Sequence, residues 1–220
     1  MRESFADGAG LPTSGTVEAG VTPGTDRLAS APRQGPSTPR LQLWLRSRSD
    51  RIARRWLSEV TSRDGRWDPA VVELQGEFLA LLTHLLSGCL SPEPGRFDHT
   101  WEQASELYGS FGSMRGLAAG EVLEEFQLLR DTLIRALFRE PPQAEGIELG
   151  MREILYLSRI VGRGVTHAGV GFADGLFFTL FQGTGVAPAV TDEVLGEVRR
   201  QLQVLRSEAD ALGLGVDLSP

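Results

Sequence analysis

The chain has 220 residues, 41% of them hydrophobic and 23% charged, with a formal net charge of −7. That length suffices for one well-buried core and falls short of two generous domains, and the acidic balance argues against a nucleic-acid or other general polyanion binder. All 22 basic residues are arginine, and the single cysteine, Cys89, excludes an internal disulfide framework and fits a reducing, cytoplasmic compartment.

Residues 1–39 are rich in Gly, Pro, Ser, Thr and Ala and nearly free of large apolar groups. Burial cannot offset the entropy of ordering such a segment, so it is expected to be a disordered leader. It lacks an apolar stretch after a basic start, so no secretory signal is expected. From Leu41 onward apolar residues recur at helical spacing, and no stretch keeps a two-residue alternation. This predicts an all-α fold.

The first helix is expected from about Leu41 to Thr61, with Leu45, Ile52, Trp56 and Val60 on one face. Its arginines, Arg46, Arg48, Arg51, Arg54 and Arg55, read either as a solvated face with intrahelical pairs or as a surface for an acidic protein. Gly65, Asp68 and Pro69 then supply a stop, a cap and a first helical residue. A second helix to about Leu90 carries Val71, Leu74, Phe78, Leu81, Leu85 and Cys89 at steps of three and four. Cys89 lies among leucines, a setting for a packed thiol rather than a nucleophile. After "SPEPG", a third helix from about Arg96 to Met114 bears the stripe Phe97, Trp101, Ala104, Tyr108 and Phe111.

The fourth helix, Glu121 to about Arg139, stops at Pro141-Pro142 and places a charge among oily neighbours. Leu123, Phe126, Leu133, Ile134 and Leu137 cluster on one side; Arg130 falls inside that arc and Asp131 on its edge. A buried guanidinium keeps its charge, so Arg130 either snorkels or pairs within the bundle, or it holds an anionic ligand or a partner's acidic group. Glu124 and Glu125 read as solvated charge outside the arc. The fifth helix begins near Glu145 and runs past Gly162 toward Phe181. Gly164, Ala168, Gly171 and Gly175 share one side of it, which permits close approach by a neighbouring helix or else a kink, since each glycine costs roughly 1 kcal/mol relative to alanine. A cleft for a small apolar signal would open there.

Beyond Pro188, Thr191 caps a last helix to about Leu212. Leu195, Val198, Leu202, Leu205, Ala209 and Leu212 form a heptad seam of under three repeats, which either docks on the bundle or pairs with a second chain as a homodimer. No apolar run reaches the roughly 18 to 20 residues of a bilayer span. His84, His99 and His167 lack zinc-protease spacing, and one cysteine cannot complete a thiolate-rich site. No catalytic residue, metal or cofactor is expected.

"RIARRWLSEV" (51–60) and "GLAAGEVLEEFQLLRDTLIRAL" (116–137) carry two patterns: Ile52, Trp56 and Val60, then Gly116, Glu125, Phe126, Leu129 and Arg130. Over about residues 43–180 the chain resembles the N-terminal domain family of RsbRD-type RsbT co-antagonists. The resemblance implies a helical, non-enzymatic input module of bacterial stress or two-component-type signalling, acting through a kinase or a STAS-type regulator. It implies a five-helix bundle with globin-like crossings and no haem, which makes His84 and His167 the residues a haem test would address. The expected organisation is a leader (1–39), a sensor-like domain (40–185) and a linker with an amphipathic helix (186–220). After residue 185 there is room for one short helix, so the module is expected to signal through a separate partner. The residues singled out for packing or interaction are Trp56, Trp101, Phe126, Arg130 and Asp131, then Gly171, then Leu195, Val198, Leu202 and Leu205 of the seam.

Overall fold

Steps of three and four between apolar residues become helices wherever the chain is described. A computed structural model describes residues 38–63, 67–93, 95–141, 150–181 and 191–215. Among them are seven helices and no strand: α1 (Thr38–Arg46), α2 (Ser49–Thr61), α3 (Pro69–Cys89), α4 (Asp98–Met114), α5 (Ala119–Arg139), α6 (Met151–Phe181) and α7 (Asp192–Ala211). The expected leader up to residue 37, with Gly65, Pro142, Glu145 and Pro188, lies outside the described residues.

The expected first helix is two helices. Ser47 Oγ donates to the Trp44 carbonyl (2.9 Å), Ser49 Oγ donates to the Leu45 carbonyl (3.0 Å), and Arg48 leaves helical backbone at φ −124°. Hydroxyls that engage backbone oxygens loosen the helical ladder. The bend lets α1 bury Leu41, Trp44 and Leu45 while α2 buries Ile52, Trp56 and Val60. Elsewhere the sequence signals hold. Asp68 caps α3 by accepting from the Ala70 N–H (2.8 Å), and the Glu121 carboxylate reaches back to the Ala118 N–H (2.6 Å) at the start of α5. Gly116 and Gly213 take positive φ, 76° and 87°, just past α4 and α7, as glycine does at a helix end.

The central helix is α3, packed by α1, α2, α4 and α7. It is apolar on almost every side because neighbours cover almost every side. By length and composition it is the one helix among the described residues long and apolar enough to cross a bilayer, and its neighbours bury most of it.

The closest pairing is α4 against α6, and small residues make it. A Cβ on Gly171 would overlap the Glu106 carbonyl, and one on Gly109 would overlap the Ala168 carbonyl. Gly164 gives its space to Trp101 and Phe126. The stripe Gly164, Ala168, Gly171 and Gly175 is thus a packing face, and α6 runs as one helix through it.

The heptad seam of α7 faces α3 and α4, with Leu202 and Ala209 fully buried and Leu195, Val198 and Leu205 nearly so. The described residues belong to one unit, residues 34–220, and of the two alternatives for the seam, docking on the bundle is the one seen: α7 packs as one of its walls. Around Tyr108 the core is aromatic: Phe126 meets it edge-on at 5.4 Å, Phe78 at 5.7 Å, and Phe78 stacks on Phe111 at 5.4 Å. Trp56, Trp101 and Phe126, picked from sequence, all lie in this cluster and are fully buried.

Candidate functional site

A charged pair is sealed inside the aromatic cluster. Arg115, one residue past α4, donates two hydrogen bonds to Glu125 of α5 (3.1 and 2.7 Å), and both side chains are over 90% buried. Tyr108 donates to the same carboxylate (2.5 Å) and accepts from the Gln75 amide, while the Trp56 indole donates to the Glu125 backbone carbonyl (2.7 Å). The Arg115 guanidinium stacks over Trp67 and Phe111, each at 5.2 Å. Burial pushes the Tyr108 hydroxyl well above its ordinary range, and the Glu125 charge pushes it further. Desolvation opposes the Arg115 charge, but Tyr108 and Glu125 outweigh it and raise the Arg115 pKa. The network joins α2, α3, α4 and α5.

Two expectations about helix four are corrected here. Glu125 is buried, not solvated, because Val122, Glu125, Phe126, Leu129 and Leu133 form the true buried stripe of α5. Arg130 lies at the margin of that stripe, with 46% of its side chain exposed and its nearest carboxylate, Asp131, 3.8 Å away. It borders a narrow apolar crevice between α5 and α6, beside Leu133, Leu137 and Leu157. Its stem borders apolar side chains while its charged end reaches solvent.

Other charged side chains pair across helices. Arg163 grips Asp98 with two bonds, one of 2.7 Å, and His167 Nδ1 lies 2.7 Å from Glu106, so α6 and α4 share a polar edge beside their glycine contact. The Arg163 hydrogen bonds hold the Asp98 carboxyl below its usual range. His84 Nε2 lies 3.1 Å from Asp50. Burial, reinforced by the Asp98 charge, drives the Cys89 thiol far up. Among the described residues no three His, Cys, Asp or Glu side chains gather as a metal site.

Two larger concavities among the described residues open to solvent. The smaller, about 220 Å³, lies between α2 and α5 and is lined by Arg51, Arg55, Arg135 and Arg139 over Ile52 and Ala136. Its charge is largely answered within the chain: Arg51 and Arg48 bind Glu140, while Arg55 and Arg135 bind Glu59. The larger, about 820 Å³, is a groove between α6 and α7 with α4 as its floor. Leu107 and Met114 form part of the floor, and Phe178 and Val204, 66% and 59% exposed, stand at its sides. Glu106, Asp174, Glu197 and Glu208 rim it, and among the described residues no basic side chain lines it.

Three sequence-selected residues, Gly171, Val198 and Leu205, come together in this groove. Leu195 and Leu202 support it from within the bundle. Trp56, Trp101 and Phe126 belong to the core, and Arg130 and Asp131 lie on the α5 surface. Sequence reasoning passed over Phe178, Val204 and the four carboxylates, because they come from three helices and no local spacing unites them. Comparison with protein-family models, with curated proteins and with solved structures gave no match.

Proposed function

We propose that this chain is a non-enzymatic regulatory input module, related to the RsbRD-type co-antagonist domains, that acts by docking a separate signalling protein in the groove between α6 and α7. The observation that carries this reading is an open apolar trough of about 820 Å³ whose Phe178 and Val204 are left largely exposed by the described residues. Large apolar side chains left together in water mark interaction sites. The helical order and the 51–60 and 116–137 spellings support the family assignment, which makes a kinase or a STAS-type regulator the natural partner class.

The test is reconstitution. Purified chain is added to a STAS-type antagonist and its kinase from the same genome, or to a histidine kinase encoded nearby, and phosphate transfer is timed. The expected outcome is a change of severalfold in rate with the native chain and none with Val204→Arg, whose exposed position leaves folding intact by circular dichroism. Rates unchanged by the native chain across these partners would refute the proposal.

A further inference from the structure

Resting on the reading of the groove as a docking site, we infer the chemistry of its occupant: a cationic amphipathic helix belonging to another protein. Three observations carry it.

First, the walls are helices throughout. Their backbone groups are already paired within each helix, so an extended segment laid in the trough would give up water and find no edge to bond. A helix brings its own backbone bonds and offers only side chains, which is what this surface can receive. Second, the dimensions suit one. The lining on α7 runs from Val194 to Glu208, about 21 Å at 1.5 Å per residue, or close to four turns. The α6 wall, from Gly171 to Phe178, flanks about half of that length and the α4 floor, from Gln103 to Met114, about three quarters, a form suited to a ridge of side chains.

Third, the rim has one sign. Glu106 is shared with His167, and Glu197 binds Arg200 and Gln201, but Asp174 and Glu208 have no partner among the described residues. Four carboxylates around an apolar floor favour a helix with a greasy stripe flanked by Lys or Arg, and they repel an acidic one. A second copy of this chain is a poor source. Its arginine-bearing helices α2, α5, α6 and α7 each have an apolar face buried in its own core, marked by Trp56, Phe126, Ile160 and Leu202.

The probe is a labelled 16-residue helical peptide with leucines at steps of three and four and lysines elsewhere, titrated with the full chain by fluorescence anisotropy. Controls are the same peptide with glutamate for lysine and a scrambled leucine-lysine peptide. The cationic helix is expected to bind at least tenfold more tightly than either control and to weaken as salt rises. Val204→Arg, and separately the triple variant Asp174→Asn, Glu197→Gln, Glu208→Gln, are each expected to reduce its affinity at least tenfold, with helical content unchanged. Equal binding of the glutamate or scrambled peptide, full affinity in Val204→Arg, or no binding of any peptide would overturn the inference. So would light scattering that shows a dimer dispersed by Val204→Arg, since a second copy would then be the occupant. If the glutamate peptide binds as well as the lysine one and Val204→Arg removes both, the groove still docks helices and only its charge selectivity fails. Loss of every peptide with phosphate transfer still sensitive to Val204→Arg leaves the regulatory reading standing and removes the helix.

Discussion

At the scale of single residues, the informative comparison is between Arg130 and Glu125. Both sit in α5, and both were visible as charges in an oily helix. An arc centred on Ile134 and Leu137 encloses Arg130, whereas one centred on Phe126 and Leu129 encloses Glu125, and the fold uses the second. Hydropathy alone does not choose between these arcs, about 80° apart at about 100° per residue, because apolar residues lie on both and a long arginine stem tolerates a margin that a short carboxylate does not. The buried pair makes a sharp prediction. Glu125→Gln should strand Arg115 and destabilise the chain by about 3–5 kcal/mol, and Arg115→Met should do comparable damage by stranding Glu125. The double variant should lose far less than the sum, measured by urea denaturation; additive losses would show that the two charges do not depend on each other. Cys89 supplies a second prediction. Its raised pKa and burial imply that iodoacetamide at pH 8 labels the native chain at least tenfold more slowly than the urea-unfolded chain, by mass spectrometry.

At the scale of elements, positions of helices were legible because caps, prolines and apolar steps agree along most of the chain. Asp68-Pro69 and Thr191 mark starts, and Gly116 and Gly213 mark ends. The break at Ser47–Arg48 was not legible, since Leu45 and Ile52 keep a seven-residue step that a continuous helix would also show. The partner of the α6 glycine stripe was likewise hidden: sequence says that a helix can come close, while only the fold says that α4 does. Two glycines in α6 should therefore respond oppositely to alanine. Gly171→Ala drives a Cβ into the Glu106 carbonyl and should cost about 1–3 kcal/mol, while Gly162→Ala, with open space around it, should gain roughly 0.4–1 kcal/mol. Thermal melts of the two variants decide this, and equal shifts would argue against the close approach.

At the scale of the whole molecule, the all-α class follows from periodicity, whereas the groove depends on how α4, α6 and α7 are placed and no single segment encodes it. The seam of α7 has a consequence for truncation: ending the chain at residue 190 should uncover the α3 and α4 surfaces that meet Leu202 and Ala209. Lower urea resistance and stronger binding of a hydrophobic dye are expected; an unchanged unfolding midpoint would mean that α7 is dispensable. Acid should act through the α4–α6 edge. Because the Asp98 pKa lies below its unfolded value, its pairing with Arg163 supports folding above about pH 4, the ordinary carboxyl range, and that support is lost as pH falls through the lower folded value. Asp98→Asn should flatten this part of the acid-unfolding profile relative to the native chain. Finally, the interlocked glycines forbid α6 from sliding along α4, so any tug on Phe178 would swing the two rods in unison. Tyr108 rides on the second rod, which ties the outer trough mechanically to the salt-bridged heart of the protein.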